Sequence, residues 1–333
     1  MTLDLTIVWA AVLGFAVFAY VSMDGFDLGV GILFPLLAVG AERDRAMNSV
    51  APVWDGNETW LVLGGGGLMA AFPVAYAIIL PATYPLVIAM LLGLVLRGVA
   101  FEFRWREPHH RPLWDIAFSL GSTIAALAQG IILGAVLQGI HVADDAYAGG
   151  WLDWLTPFSL LTGASLVIGY GLLGATWLLW KTDGAEQDHA RRLAGRLGGM
   201  TLLAMAAVSA ATPFLHYAYW RRWFAMPGVL MTAQVPLLVI AAGAIFFISL
   251  RRGGERLPFL IALGLFLLGF VGLGISMFPY VIPPQLTIWE AAAPASSQMF
   301  MLVGVVVIVP LILAYTAWAY WVFRGKVGTH GYH

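Results

Sequence analysis

The stretch IVWAAVLGFAVFAYVSMDGFDLGVGILFPLL, residues 7–37, decides the fold class. A helix needs about 20 mostly apolar residues to cross a bilayer, and this run exceeds that with Asp24 and Asp27 as its only charges. The strands of an outer-membrane barrel alternate apolar and polar residues and carry no such run. Eight further apolar runs follow, at approximately 58–77, 80–103, 113–138, 158–180, 195–215, 229–250, 257–280 and 298–323. The first run is longer than the bilayer is thick and should tilt or protrude. A short apolar link around Pro81 joins the second and third, which predicts a tight helical hairpin. The reading is an all-α, polytopic membrane protein with nine transmembrane helices in a single transmembrane domain, residues 1–333. The longest polar stretch, TDGAEQDHARR at 182–192, is too short to fold alone and reads as the solvated start of the sixth helix.

Composition agrees with the pattern. Of 333 residues, 61% are apolar and 11% charged, against roughly 25% charged in a soluble domain. The mean hydropathy is +0.86. A water-exposed surface cannot be built from so few charges, which excludes a soluble enzyme, a nucleic-acid binder and a disordered chain. The absence of cysteine excludes disulfides, thiolate-held iron–sulfur clusters and Cys-attached heme. The opening residues MTLDLTIVWAAV carry Asp4 and no Lys or Arg. A secretory signal has a basic leading region, so the first run is expected to be a retained span.

The small net charge of −1 hides an asymmetry. Scored by alternate inter-span segments, 14 Lys and Arg residues fall on one side and two, Arg221 and Arg222, on the other, with Arg97 left inside a span. The positive-inside rule puts the 14 in the cytoplasm. The N-terminus is therefore expected outside and the C-terminus inside.

Charges inside spans are the functional candidates, because one at mid-helix costs at least ~2.5–3.5 kcal/mol. Asp24 and Asp27 share a helix face at i,i+3 spacing, with Gly25, Gly29 and Gly31 around them to admit a close neighbour. Two carboxyls so close resist joint ionisation, which suits a shared or shuttled proton; a buried ion pair is the plainer alternative. Arg97, near the end of the third span, either snorkels to the interface or serves as counter-ion to Asp24, Asp27 or an anionic cofactor group. Asp55 and Glu58 in NSVAPVWDGNETWL stand at the start of the second span. There Asp55 or Asn57 could cap free N–H groups, although Asp55 lies in a Pro-, Trp- and Gly-rich turn that reads as buried. With Glu102, these residues all fall in or beside the cytoplasmic half, as a proton-uptake path requires.

The seven histidines, His109, His110, His141, His189, His216, His330 and His333, fall in loops, at helix ends or in the tail. None sits mid-span, so the chain offers no pair of axial ligands for a buried heme, and no metal site is expected. Trp and Tyr clusters at Trp177–Trp180, Trp220–Trp223 and Trp318–Trp321 fit interfacial belts.

Six stretches carry a resemblance: DGFDLGVG (24–31), NSVAPVWDGNETWL (48–61), FEFR (101–104), MFPYVIP (277–283), TIWEAAAPASSQ (287–298) and YTAWAYW (315–321). In this order they resemble subunit II of the cytochrome bd-type quinol oxidases, including the cyanide-insensitive branch. The resemblance implies nine helices and a partner, subunit I, that carries two b-type hemes, one d-type heme and a periplasm-facing quinol site. The pair would oxidise quinol, reduce dioxygen to water and build a proton gradient. Subunit II would ligate no heme itself; it would support the heme-bearing subunit and offer access for protons or oxygen. Small accessory subunits are a further implied partner, and the short loop at 216–228 leaves in doubt any that dock there. The resemblance also implies a bacterial inner-membrane protein with a periplasmic N-terminus and a cytoplasmic C-terminus. By matching position, Asp24, Asp27, Trp54, Asp55, Asn57 and Arg97 carry over; Asp24, Asp27 and Asp55, with Glu58 beside them at the start of the second span, are the expected proton path. Arg97, Trp54 and Asn57 are the expected heme-propionate or interface contacts. A secondary transporter, with acidic residues in Gly-interrupted helices, and a purely structural scaffold are the rival readings.

Overall fold

The computed structural model describes residues 4–328. His330 and His333 lie outside the described residues. Helix α1 (Leu5–Leu33) starts where the Asp4 carboxylate accepts the backbone N–H groups of Thr6 and Ile7. It ends in a 3₁₀ turn, Phe34–Leu36, around Pro35. A short helix α2 (Ala41–Val50) follows, then α3 (Trp54–Ala71), α4 (Pro73–Arg106), α5 (Arg111–Leu137) and α6 (Pro157–Lys181). The second half comprises α7 (Gly184–Ala211), α8 (Tyr217–Phe224), α9 (Val229–Thr232), α10 (Gln234–Arg251), α11 (Leu257–Met277) and α12 (Ala295–Val322). Two small antiparallel hairpins, β1–β2 (142–147) and β3–β4 (280–287), close one end of the bundle. Asp144 and Asp145 take positive φ at the first hairpin's tip, as a two-residue turn of this hand demands.

Among the described residues, eight helices are long and apolar enough to cross a membrane. The expected second span is the exception. Its helix, α3, has 18 residues and so about 27 Å of length. Asp55, Asn57, Glu58 and a run of four glycines keep it too polar to qualify on composition.

The structure also moves the hairpin. The chain reverses at Phe72 (φ −133°, ψ 62°), not at Pro81. Pro73 then opens α4, where its missing N–H is no loss. Pro81 and Pro85 lie inside α4 and bracket a kink at Thr83, whose hydroxyl donates to Ile79 O at 2.8 Å. The sixth helix starts at Gly184, within the polar stretch read as its solvated start, and the seventh run is broken at Ala233 into α9 and α10.

Helix α1 is the axis of the bundle and packs against α3, α5 and α6, while α4 lies on α5 and α6 on α7. The tightest crossing is α1 on α6. A Cβ on Gly29 would stand 1.9 Å from Tyr170 O, and one on Gly174 2.3 Å from Gly29 C, so only glycines permit this approach. The crossing sets the carboxylates of α1 deep between α3, α4 and α6. Helix α12 touches chiefly α1 and α3, and most of its apolar surface is exposed.

Candidate functional site: a buried carboxylate–arginine cluster

Asp24, Asp27 and Arg97 are wholly buried, at 0% exposure. Arg97 reaches across from α4 and divides its guanidinium between two helices. One nitrogen donates to Asp24 Oδ1 of α1 at 2.6 Å and the other to Glu58 Oε2 of α3 at 2.7 Å. The Glu58 side chain keeps 28% of its surface exposed, so it is the outermost of the three. Of the two sequence readings of Arg97, the one in which it is a counter-ion to Asp24 is what the structure contains. The guanidinium is enclosed by the chain's own carboxylates and lies 5.8 Å from the ring of Trp54. Trp54 in turn stacks on Phe101 of α4, with ring centroids 4.8 Å apart. That stack seals the cluster on one side.

Asp27 faces α3. Its Oδ2 accepts from Asn57 Nδ2 at 2.7 Å, and Asn57 Oδ1 accepts from the Tyr320 hydroxyl of α12 at 2.9 Å. The expected cap is therefore absent. The N-terminus of α3 has no side-chain cap: the cap position is Val53, and Asn57, a turn inside the helix, bonds Asp27 across the helix interface. A second polar thread begins one helical turn before Asp24. Tyr20 Oη accepts from Gln129 Nε2 at 2.7 Å, and Tyr170 Oη donates to Gln129 Oε1 at 2.9 Å. Asp24 Oδ2, Asp27 Oδ1 and Arg97 Nε remain buried without a hydrogen-bond partner among the described residues.

Asp55 departs from its expectation. It is exposed in the first turn of α3 and makes no hydrogen bond to the cluster. The turn before it is less enclosed than its Pro, Trp and Gly content suggests, because the Trp54 ring folds inward onto Phe101 and leaves position 55 outside. Glu102 is likewise exposed and pairs with Arg106 at 3.3 Å. The line of acids read from the sequence thus reduces to Asp24, Asp27 and Glu58 inside, with Asp55 outside.

A second ionic cluster escaped the sequence reading. Asp115 on α5 accepts from Arg104 Nε at 2.6 Å and from Arg43 at 2.8 Å. Arg104 also donates to Asp44 at 2.7 Å. Arg104 and Asp115 are 2% and 7% exposed, so this is interior chemistry. Scored by loop position, Arg43 and Arg104 look like plain topology charges. The available signal is Asp115 itself, an acid just inside the apolar run LWDIAFSL. With Arg45–Glu186 and His189–Glu42, the cluster clamps α2 to α4, α5 and α7.

No group of three or more His, Cys, Asp or Glu suited to a metal ion occurs among the described residues. His109, His110 and His141 are exposed, His189 pairs with Glu42, and His216 sits beside the turn at Gly139. These positions do not fit axial heme ligation within the helices.

The comparisons with known proteins fall on the whole chain. The "Cytochrome bd terminal oxidase subunit II" family matches residues 5–323. "Cytochrome bd-I ubiquinol oxidase subunit 2" of Escherichia coli K12 is 30% identical, over 97% of this chain and 95% of that protein. "Probable cytochrome oxidase subunit 2" of Haemophilus influenzae is also 30% identical, over 91% and 90%. Among solved structures, the bd oxidase from Geobacillus thermodenitrificans superposes with a TM-score of 0.78, covering 96% of this chain and 99% of that one. At 20% identity that likeness speaks for the fold alone. With one family spanning nearly every described residue, and the buried Asp24, Asp27, Asn57 and Arg97 inside the matched region, the chain belongs to the cytochrome bd terminal oxidase subunit II family.

Proposed function

We propose that this chain is the subunit of a quinol:dioxygen oxidoreductase that carries no heme of its own. It supports a heme-bearing subunit I and supplies a proton path from the cytoplasm. The b-type and d-type hemes, the quinol site and the reduction of dioxygen to water belong to that partner. In this reading α3 is the ninth spanning helix, its polar residues Asn57 and Glu58 held by α1, α4 and α12, with the N-terminus periplasmic and the C-terminus cytoplasmic. The charge asymmetry of 14 against two supports that orientation.

The observation that carries the proton path is the sharing of one guanidinium by carboxyls at different depths. Arg97 binds both the partly exposed Glu58 and the buried Asp24, with Asp27 one turn along the same helix. Three carboxyls and one cation would leave two uncompensated negative charges in an apolar interior if all were ionised. The cluster therefore holds protons as well as charge. A proton taken by Glu58 displaces the Arg97 balance toward Asp24, and Asn57 and Tyr320 fix Asp27 as the next acceptor. Asp55, exposed at the start of α3, is the outer mouth of the path.

The test is a series of isosteric variants, Asp24→Asn, Asp27→Asn and Glu58→Gln, in the assembled complex. Assembly and heme spectra should survive while quinol-driven turnover and proton uptake fall. Intact turnover in all three would end the relay. Loss of heme with no separate effect on turnover would favour the scaffold reading. Substrate uptake by a heme-free chain would favour the transporter.

A further inference from the structure

Lys181 closes α6 and is 5% exposed. Its ammonium donates to Phe323 O and to Gly325 O, the latter at 3.1 Å, and Val327 N returns a bond to Lys181 O. It lies 4.8 Å from the ring centroid of Trp177 and 5.8 Å from that of Trp180. No carboxylate pairs with it among the described residues; the nearby Lys326 takes Glu255, at 3.2 Å. A buried cation without a counter-charge is an expensive arrangement, and an anion from outside the chain would relieve it.

Beside Lys181 is a cavity of about 310 Å³, lined by Asn48, Ser49, Pro52, Val322, Lys326 and Gly328 among others. That is the lower end of the ~300–1,000 Å³ range of ligand pockets. The Asn48 carboxamide, with two N–H donors, has no hydrogen bond among the described residues and faces this space. The depth is also informative. Trp177, Trp180 and Trp321 stand at the ends of α6 and α12, with Arg256 over Trp180 and Arg324 over Trp321. Tryptophan beside Lys and Arg at the ends of spanning helices marks headgroup level. From the cavity, Val322 leads onto the exposed apolar flank of α12, at Trp318 and Val322.

We infer that this cavity binds a phosphate group, that of an anionic phospholipid of the adjoining leaflet. Lys181 and Asn48 hold the phosphate, with the Lys326–Glu255 pair beside it, and the acyl chains run along α12. The bound headgroup ties the C-terminal tail to α2 and α6. Free phosphate has the same headgroup chemistry but lacks the apolar part, so the two sources separate in experiment.

The test uses the chain assembled with its partner subunit in nanodiscs of phosphatidylcholine, with or without phosphatidylglycerol. In wild type, phosphatidylglycerol raises Tm and native mass spectrometry retains one more phosphatidylglycerol than in the variants. Lys181→Gln removes the charge and loosens the tail as well, so Asn48→Asp is the decisive variant. It leaves the bonds between Lys181 and the C-terminal tail intact and places a carboxylate in the cavity. It should raise Tm in phosphatidylcholine alone and abolish the added response to phosphatidylglycerol. Inorganic phosphate that reproduces the wild-type response would overturn the lipid assignment in favour of free phosphate. An Asn48→Asp complex that retains and responds to phosphatidylglycerol as wild type does would overturn the site.

Discussion

Replacing Arg97 by Met tests whether the buried cluster is held by charge. The substitution keeps an unbranched apolar stem and removes two charge-assisted bonds, to Asp24 at 2.6 Å and to Glu58 at 2.7 Å. The two losses are unequal. Glu58 keeps 28% of its side-chain surface exposed and can be hydrated, so its share is at most about 1 kcal/mol. Asp24 is 0% exposed and would be left as a lone buried carboxylate. Breaking a buried pair in this way costs about 3–5 kcal/mol. An independent bound agrees. A carboxyl group with a solution pKa near 4 takes about 4 kcal/mol to protonate at pH 7, at 1.36 kcal/mol per unit. Asp24 can always escape by that route, so the deficit is capped near that figure.

The cap gives the prediction its signature. Protonation becomes easier as pH falls, so the Arg97→Met deficit should shrink by roughly 1.4 kcal/mol for each pH unit below 7. Adding Asp24→Asn should restore most of the loss, since neither charge then remains. The assay is unfolding of the assembled complex in detergent by denaturant at several pH values, with heme absorbance and tryptophan emission as separate probes. A loss below about 1 kcal/mol, a deficit flat with pH, or a double variant no better than Arg97→Met would refute the reasoning.

Gly29→Ala should destabilise by at least the ~1–3 kcal/mol of an overpacked core, because the new Cβ meets the Tyr170 carbonyl at 1.9 Å and backbone cannot step aside. Gly199→Ala, with open space at its Cβ, should instead be neutral or gain up to about 1 kcal/mol, which the same melts would show. Asp115→Asn removes the charge shared by Arg104 and Arg43 and should cost about 3 kcal/mol. Faster hydrogen exchange confined to residues 38–50 would mark the release of α2. Burial pushes the His216 imidazole below its ordinary value. The folded state then binds that proton less readily than the unfolded chain, so the stability is whole above about pH 6.5 and is lost as pH falls below it. His216→Phe should flatten that acid limb in melts between pH 7 and pH 5.

The fold was legible where chemistry is one-dimensional. Twenty apolar residues in a row have few options in water, so α1, α5, α6 and α11 stand close to where hydropathy puts them. The errors came where a residue's effect depends on its neighbours. Pro81 punctuates a sequence strongly, yet it lies inside α4, where the helix only kinks at Thr83, while the chain reverses at the plain Phe72–Pro73 step. Helix α3 shows the reverse case. Its polarity argues against a span, and only the partners of Asn57 and Glu58 on α1, α4 and α12 explain how those groups can be inside.

The same logic separates the two ionic clusters. Asp24, Asp27 and Arg97 were visible because each interrupts an apolar run and has no reason to be there. Arg104 and Arg43 were invisible because a cation at the expected cytoplasmic end of a helix already has a reason, the topology rule. Position in the chain cannot distinguish a guanidinium that faces water from one that is 2% exposed against Asp115. Burial is a property of the packed bundle, and here it is set by α2, a short helix in a segment that hydropathy treats as loop. Folding over the helix ends, α2 converts surface charges into interior ones. A salt-insensitive Asp115–Arg104 pair beside a salt-sensitive Arg106–Glu102 pair is the measurable consequence, since only the exposed pair is screened.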